Sequence, residues 1–316
     1  MVKNKYPAKV IETLGKGIPS QIMFHENGTE IVLMLCKKAT GLGDGKNLNM
    51  QEDGAAFEGW ALILKASQEY TSVVLDVDMD KLAEPLLTMG HYNRFLYRAM
   101  RFAECYSWFT LSPKVKIAVD CFRNTYYSGH CNLVNNIGNG DAGDNNNLEN
   151  YLEGLLGKNP NLASQVTGIS PLHRQLPVGL FTNHVAKATS LFTGGKSAID
   201  LWGRNGESLH IFELKANNEK VGVLSELFFY ACYAYDLYCE GSPKFIIPQK
   251  PSFKNDRGYR NLFNGNIEKI AAHILTNSLH SRIDENVIQL MRDTCKNKRI
   301  VFADPILYEL MSMKLK

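Results

Sequence analysis

The stretch SAIDLWGRNGESLHIFELKAN, residues 197–217, constrains this chain more than any other. Asn205-Gly206 is a two-residue turn signal, because both residues tolerate the positive φ that a tight hairpin demands. The branched and aromatic residues on either side suit strands. A hairpin closed there pairs Arg204 with Glu207, Trp202 with Leu209 and Asp200 with Ile211. Side chains alternate between faces along a strand, so Asp200 shares a face with Ile211, Glu213 and Lys215, while Phe212 and Leu214 turn to the other. Glu213 is then diagonal to Asp200, roughly 7 Å away. A four-residue loop preserves this parity, whereas an odd loop or a bulge alters it.

Two carboxylates and an ammonium inside otherwise apolar strands need a physical reason. Neighbouring carboxylates repel and lose hydration on burial, so the arrangement asks for positive charge beyond the lysine. Oxygen ligands favour a hard divalent ion, Mg²⁺ or Mn²⁺, over zinc. An acid on one strand followed by D/E-x-K on the next resembles the signature of the PD-(D/E)XK nuclease superfamily. Asp200 and Glu213-Leu214-Lys215 match it, with Ile199 where the family name has proline. Downstream, SELFFY places Glu226 and Tyr230 four residues apart on one helical face. This is similar to the Q-x-x-x-Y helix of the recombination and CRISPR-adaptation exonuclease branch, with glutamate for glutamine.

The resemblance, which spans about a third of the chain, implies an α/β fold with a restriction-endonuclease-like core, a mixed sheet flanked by helices. It implies Mg²⁺- or Mn²⁺-dependent hydrolysis of DNA, in a setting of restriction or defence. Asp200, Glu213 and the Leu214 carbonyl would hold metal. Family members add a glutamate from the helix before the hairpin; Glu149 and Glu153 both suit that place, and Glu153 is carried as the candidate ligand. Lys215 would position or deprotonate the attacking water, with Glu226 and Tyr230 in support. The competing reading is an inactive nuclease-fold module that binds nucleic acid or a protein and keeps its carboxylates in structural ion pairs.

With 316 residues, 45% of them hydrophobic, the chain can bury the cores of one large or two ordinary domains. A formal charge of +3 is too mild to argue for nucleic acid by itself. Seven cysteines without a CxxC pair read as reduced core thiols, and no apolar run approaches a membrane span, so a cytoplasmic protein is expected. The patterns predict an N-terminal α/β region for substrate or partner recognition over 1–125, with a hairpin over 21–36, helices over 55–65 and 92–109, and strands over 72–77 and 115–119. A Gly/Asn-rich linker follows over 126–147, then the nuclease core over 148–250, with helices starting at 148 and 220 and a strand over 244–247. A C-terminal extension over 251–316 is expected to hold helices over 267–277 and 285–294 and a strand over 299–303.

Two basic features suit DNA. Arg94, Arg98 and Arg101 recur at helical spacing beside an apolar stripe, as a phosphate-contacting face would. Lys254, Arg257 and Arg260 alternate with Phe253 and Tyr259 in a loop, a mixture that suits backbone contact and base stacking. The glycine-rich segment 39–50 lacks the spacing of a phosphate loop and reads as a turn. Cutting both strands with one site per chain would favour a two-fold homodimer.

Overall fold

Periodic apolar residues build two sheets and the helices that cover them. The structure is a computed structural model, and it describes residues 6–15, 17–127, 147–182, 186–192, 197–239, 241, 258–309 and 314–315. The chain divides into two units: Met1–Ser128 with Lys220–Glu226 and His280–Asn297, and Gly129–Glu219 with Leu227–Leu279 and Lys298–Lys316. No helix among the described residues is long and apolar enough to cross a membrane.

The first part of the chain runs α1 (Ala8–Leu14), β1 (Ile22–Asn27), β2 (Glu30–Leu35), α2 (Lys37–Thr40), α3 (Phe57–Ala66), β3 (Ser72–Val77), α4 (Gly90–Cys105), β4 (Phe109–Leu111) and α5 (Pro113–Phe122). The strands form one sheet in the order β1-β2-β3-β4, antiparallel across the hairpin and parallel thereafter. Alternate residues Ile31, Leu33 and Leu35 face Val73, Leu75 and Val77 in the core.

Residues 115–119, expected as a strand, are helical. Val115, Ala118, Val119 and Phe122 are the buried residues of α5, a helical spacing, and Pro113 stands in the first turn, where its missing N–H costs nothing. The branched residues suggested a strand, but Ile117 is 71% exposed and Val115 is fully buried. The preceding helix is also shorter than expected: α4 stops at Cys105, and Phe109 begins β4.

The chain continues through α6 (Leu148–Lys158), α7 (Pro160–Thr167), β5 (His173–Val178), β6 (Ser197–Asn205), β7 (Ser208–Lys215), α8 (Gly222–Tyr238), α9 (Tyr259–Leu262), β8 (Lys269–Thr276), α10 (Glu285–Asp293), β9 (Ile300–Phe302), β10 (Ile306–Glu309) and β11 (Lys314–Leu315). These strands make a seven-stranded mixed sheet in the order β11-β10-β8-β7-β6-β5, with β9 also on β8. The segment 267–277, expected as a helix, is β8: Ile270, Ala272 and Ile274 alternate as buried residues, and the strand pairs in parallel with β7 along its whole length. The segment expected as an extension therefore supplies four strands to this sheet. Most of the expected linker and the strand expected over 244–247 lie outside the described residues.

Helices cover both faces of the large sheet. On one, Leu201, Phe212, Leu214 and Leu275 pack with Leu152 and Leu156 of α6, Ala163 and Val166 of α7, and Tyr308 of β10. Each fully buried Leu or Phe contributes about 1.5–3 kcal/mol, and Leu214→Ala would remove about 2–5 kcal/mol by leaving a cavity. On the other face Phe228 of α8 stacks on Phe302, the β9 partner of Ala272, with ring centroids 6.1 Å apart.

Candidate functional site

The hairpin closes one residue later than its sequence predicts. Asn205 pairs with Ser208, so Gly206 and Glu207 form the loop, and Gly206 takes the positive φ of 58°. The ladder then runs Arg204 with Leu209, Trp202 with Ile211 and Leu201 with Phe212. The Arg204 guanidinium holds this turn, donating to the carbonyls of Gly206, Asn261 and Asn266 at 3.0, 2.9 and 2.7 Å. Shifting a loop by one residue slides every partner by two, which keeps the faces and changes only the neighbours. Asp200 consequently stands opposite Glu213 in the continued register instead of diagonal to it.

The two strands part at this point. Both continue past the Leu201–Phe212 pair, but the ladder between them ends there. The Leu214 N–H donates instead to Asp200 Oδ2 at 2.8 Å. Alternation along β6 and β7 sends Leu201, Phe212 and Leu214 into the core shared with α6 and α7, and Asp200, Glu213 and Lys215 to the opposite face. Glu213 Oε1 and Lys215 Nζ form an ion pair with side chains 3% and 9% exposed. At the end of β7 the Ala216 N–H donates to Glu149 Oε1 at 3.1 Å, and the Tyr308 hydroxyl donates to the Lys215 carbonyl at 2.8 Å.

The two candidate glutamates of α6 separate here. Glu153 faces β5, where Gln175 Nε2 donates to its Oε2 at 2.6 Å and Arg174 Nε lies at 3.6 Å. Burial raises its pKa above the usual carboxylate range, while Gln175 and Arg174 pull the other way. Glu149 is the one that reaches the β7 end. Glu226 and Tyr230 are each 5% exposed on α8.

Among the described residues, no group of three or more His, Cys, Asp or Glu side chains is arranged to hold a metal. Asp200 and Glu213 nonetheless offer a donor set of the right chemistry for magnesium, which binds through one or two carboxylates and keeps several waters.

The arginines of α4 do not present a phosphate-binding face. Arg94, Arg98 and Arg101 are 4%, 2% and 7% exposed. Arg98 forms a buried ion pair with Glu58, donates to the Ala55 carbonyl at 3.0 Å and lies 4.8 Å from the Phe57 ring. Arg94 donates to Asn49 Oδ1, and Arg101 pairs with Glu104, each at 2.6 Å. A guanidinium buried and bonded in this way is committed to the fold. Arg260 is exposed on α9, while Lys254 and Arg257 lie outside the described residues.

The sequence reading missed a histidine pair. His210 Nδ1 and His273 Nε2 are 3.0 Å apart, with ring planes 16° apart and centroids 5.3 Å apart. That centroid distance is about the N···N distance plus both ring radii, so the rings meet edge to edge and share one N–H···N bond. Burial lowers both pKa values, and burial together with His210 takes His273 down to about 4. The residues are 63 apart in the chain, and only the parallel pairing of β7 with β8 unites them. No family model, curated protein or solved structure matches the chain.

Proposed function

We propose that the second unit is a Mg²⁺- or Mn²⁺-dependent nuclease module that hydrolyses DNA phosphodiester bonds. The observation that carries this reading is the meeting of Asp200, Glu213 and Lys215 on one sheet face where β6 and β7 part. A helical pair, an antiparallel β5-β6-β7 meander, α8 and a parallel β8 support the restriction-endonuclease-like core that the motif resembles.

Asp200 and Glu213, with the Leu214 carbonyl, would hold the ion, whose chemistry is to polarise the phosphate and acidify a bound water. Opening of the β6–β7 ladder leaves the Leu214 N–H to the Asp200 carboxylate instead of strand backbone, so a small ligand can approach these oxygens without breaking a β6–β7 ladder hydrogen bond. Lys215 carries a compact positive charge whose place beside Glu213 suits it to orient water and offset charge growing on the phosphate. Tyr230 keeps the supporting role that the resemblance implies, and Glu226, which falls in the first unit, is given none.

The test is cleavage of plasmid, linear and single-stranded DNA with Mg²⁺, with EDTA as control. Lys215→Ala is expected to lower the rate by about 10²-fold or more while metal binding measured by calorimetry persists. Asp200→Ala is expected to lose both. A Lys215→Ala protein that cuts at the wild-type rate would overturn this division of roles. The Glu213–Lys215 ion pair favours a second reading, a non-catalytic module that binds DNA or a protein. Mg²⁺-independent DNA binding without cleavage by the wild type would select it. If both strands are cut, sedimentation is expected to show a dimer on DNA.

A further inference from the structure

Two peptide groups at the end of β7, Glu213–Leu214 and Lys215–Ala216, are held by side chains from three different elements. Leu214 N–H donates to Asp200 of β6 at 2.8 Å, the Lys215 carbonyl accepts from Tyr308 of β10 at 2.8 Å, and Ala216 N–H donates to Glu149 of α6 at 3.1 Å. In a regular sheet such groups bond backbone to backbone, and side-chain bonds to backbone are the minority. The contrast lies on the β6 side, where the ladder stops at Phe212, while β8 pairs with β7 through Lys215.

Tyr308 is fully buried in the core that contains Leu214 and Leu275. Burial, with Glu149 nearby, pushes its hydroxyl up to about 12, so it remains a donor at any working pH. Its bond crosses 93 residues of sequence to reach the backbone of the lysine itself. A strand end without such anchors frays, and the side chain it carries loses its place.

We infer that Tyr308 is a positioning residue for Lys215, seconded by Glu149, so that strand β10 sets the height of the lysine over the site. The kinetic consequence rests on the nuclease reading above; the structural consequence does not. Tyr308→Phe keeps the ring in the core and removes only the hydroxyl. Lys215 accessibility is read by reductive methylation and mass spectrometry, with exposed Lys269 as internal reference.

In Tyr308→Phe, labelling of Lys215 is expected to rise roughly threefold or more as the strand end opens. DNA cleavage is expected to lose about tenfold in kcat with KM nearly unchanged, as slight misplacement of a reacting group predicts. Unchanged labelling overturns the inference, whatever the enzyme does. If the wild type cuts no DNA, the nuclease reading fails and labelling alone decides this one. Should Tyr308→Phe not fold, Glu149→Ala tests the adjacent anchor, with faster labelling expected and unchanged labelling counting against the clamp. Glu149→Gln retains an acceptor and is expected to restore slow labelling, which a purely ionic role for Glu149 would not.

Discussion

Glu153 stands in surroundings that disfavour its charge. Burial raises its pKa against the opposing pull of Gln175 and Arg174. A carboxyl whose folded pKa is raised lends stability that is full below its unfolded pKa and is lost as pH rises through the folded value. Glu153→Gln keeps an acceptor for Gln175 and removes the ionisation, so the variant is expected to gain in melting temperature relative to wild type as pH is raised from 5 to 8. A loss growing with pH over that range would show that Arg174 dominates instead.

Arg98 is the opposite case, a charge matched by its partner. Arg98→Ala strands Glu58, whose side chain is fully buried, and is expected to destabilise the protein by about 3–5 kcal/mol in urea titration, whereas Arg98→Met with Glu58→Gln should cost much less. The helical spacing of Arg94, Arg98 and Arg101 was legible in the sequence, but the direction of the face was not. Their acceptors, Asn49, Glu58 and Glu104, include two residues from segments distant in the chain.

At the scale of elements, the His210–His273 bond joins β7 to β8 through a single shared proton. Two protonated rings cannot make it, since neither would offer an acceptor. His273 has a folded pKa of about 4 against an ordinary 6.5, so its stabilising effect is present above pH 6.5 and is lost as pH falls toward 4. Between pH 7.5 and 5 the loss is on the order of 2 kcal/mol. His273→Phe is expected to flatten the dependence of urea-unfolding stability on pH over that interval, and an unaltered slope would count against the pair as its origin.

The hairpin that carries the acids and lysine was legible because alternation is local: a shift of the turn moved partners by two and left every face unchanged. Two other elements were not. Branched residues over 115–119 and mixed small and apolar residues over 267–277 sit near the balance between helix and strand. In the first case Pro113 and a helical burial spacing decide, and in the second a full-length parallel partner does.

At the scale of the molecule, neither unit is a continuous stretch of chain. The first takes α10 from far downstream, where Val287, Ile288 and Met291 are buried. The Met291 carbonyl accepts from the Tyr106 hydroxyl at 2.9 Å, Trp108 Nε1 donates to Thr294 Oγ1 at 3.1 Å, and Lys296 N–H donates to the Cys105 carbonyl at 2.8 Å. A fragment of residues 1–147 lacks these partners. It is expected to show helix by circular dichroism but no cooperative urea transition, because its exposed apolar surface and unfilled hydrogen bonds remove a large share of a marginal stability.

The sequence by itself determined what short-range geometry can determine: which residues of 197–217 share a face, that two acids and a lysine would lie among apolar neighbours, and that a helix starting at 148 and a long apolar helix starting at 220 flank them. The tertiary structure alone decided which glutamate of α6 reaches the end of β7, that β6 and β7 part beside Asp200, that the arginines of α4 turn inward, and that His273 and Tyr308 meet β7 from 63 and 93 residues away. Backbone periodicity repeats over a few residues and is written in the chain, whereas burial and partnership depend on which distant segments displace water from a given face.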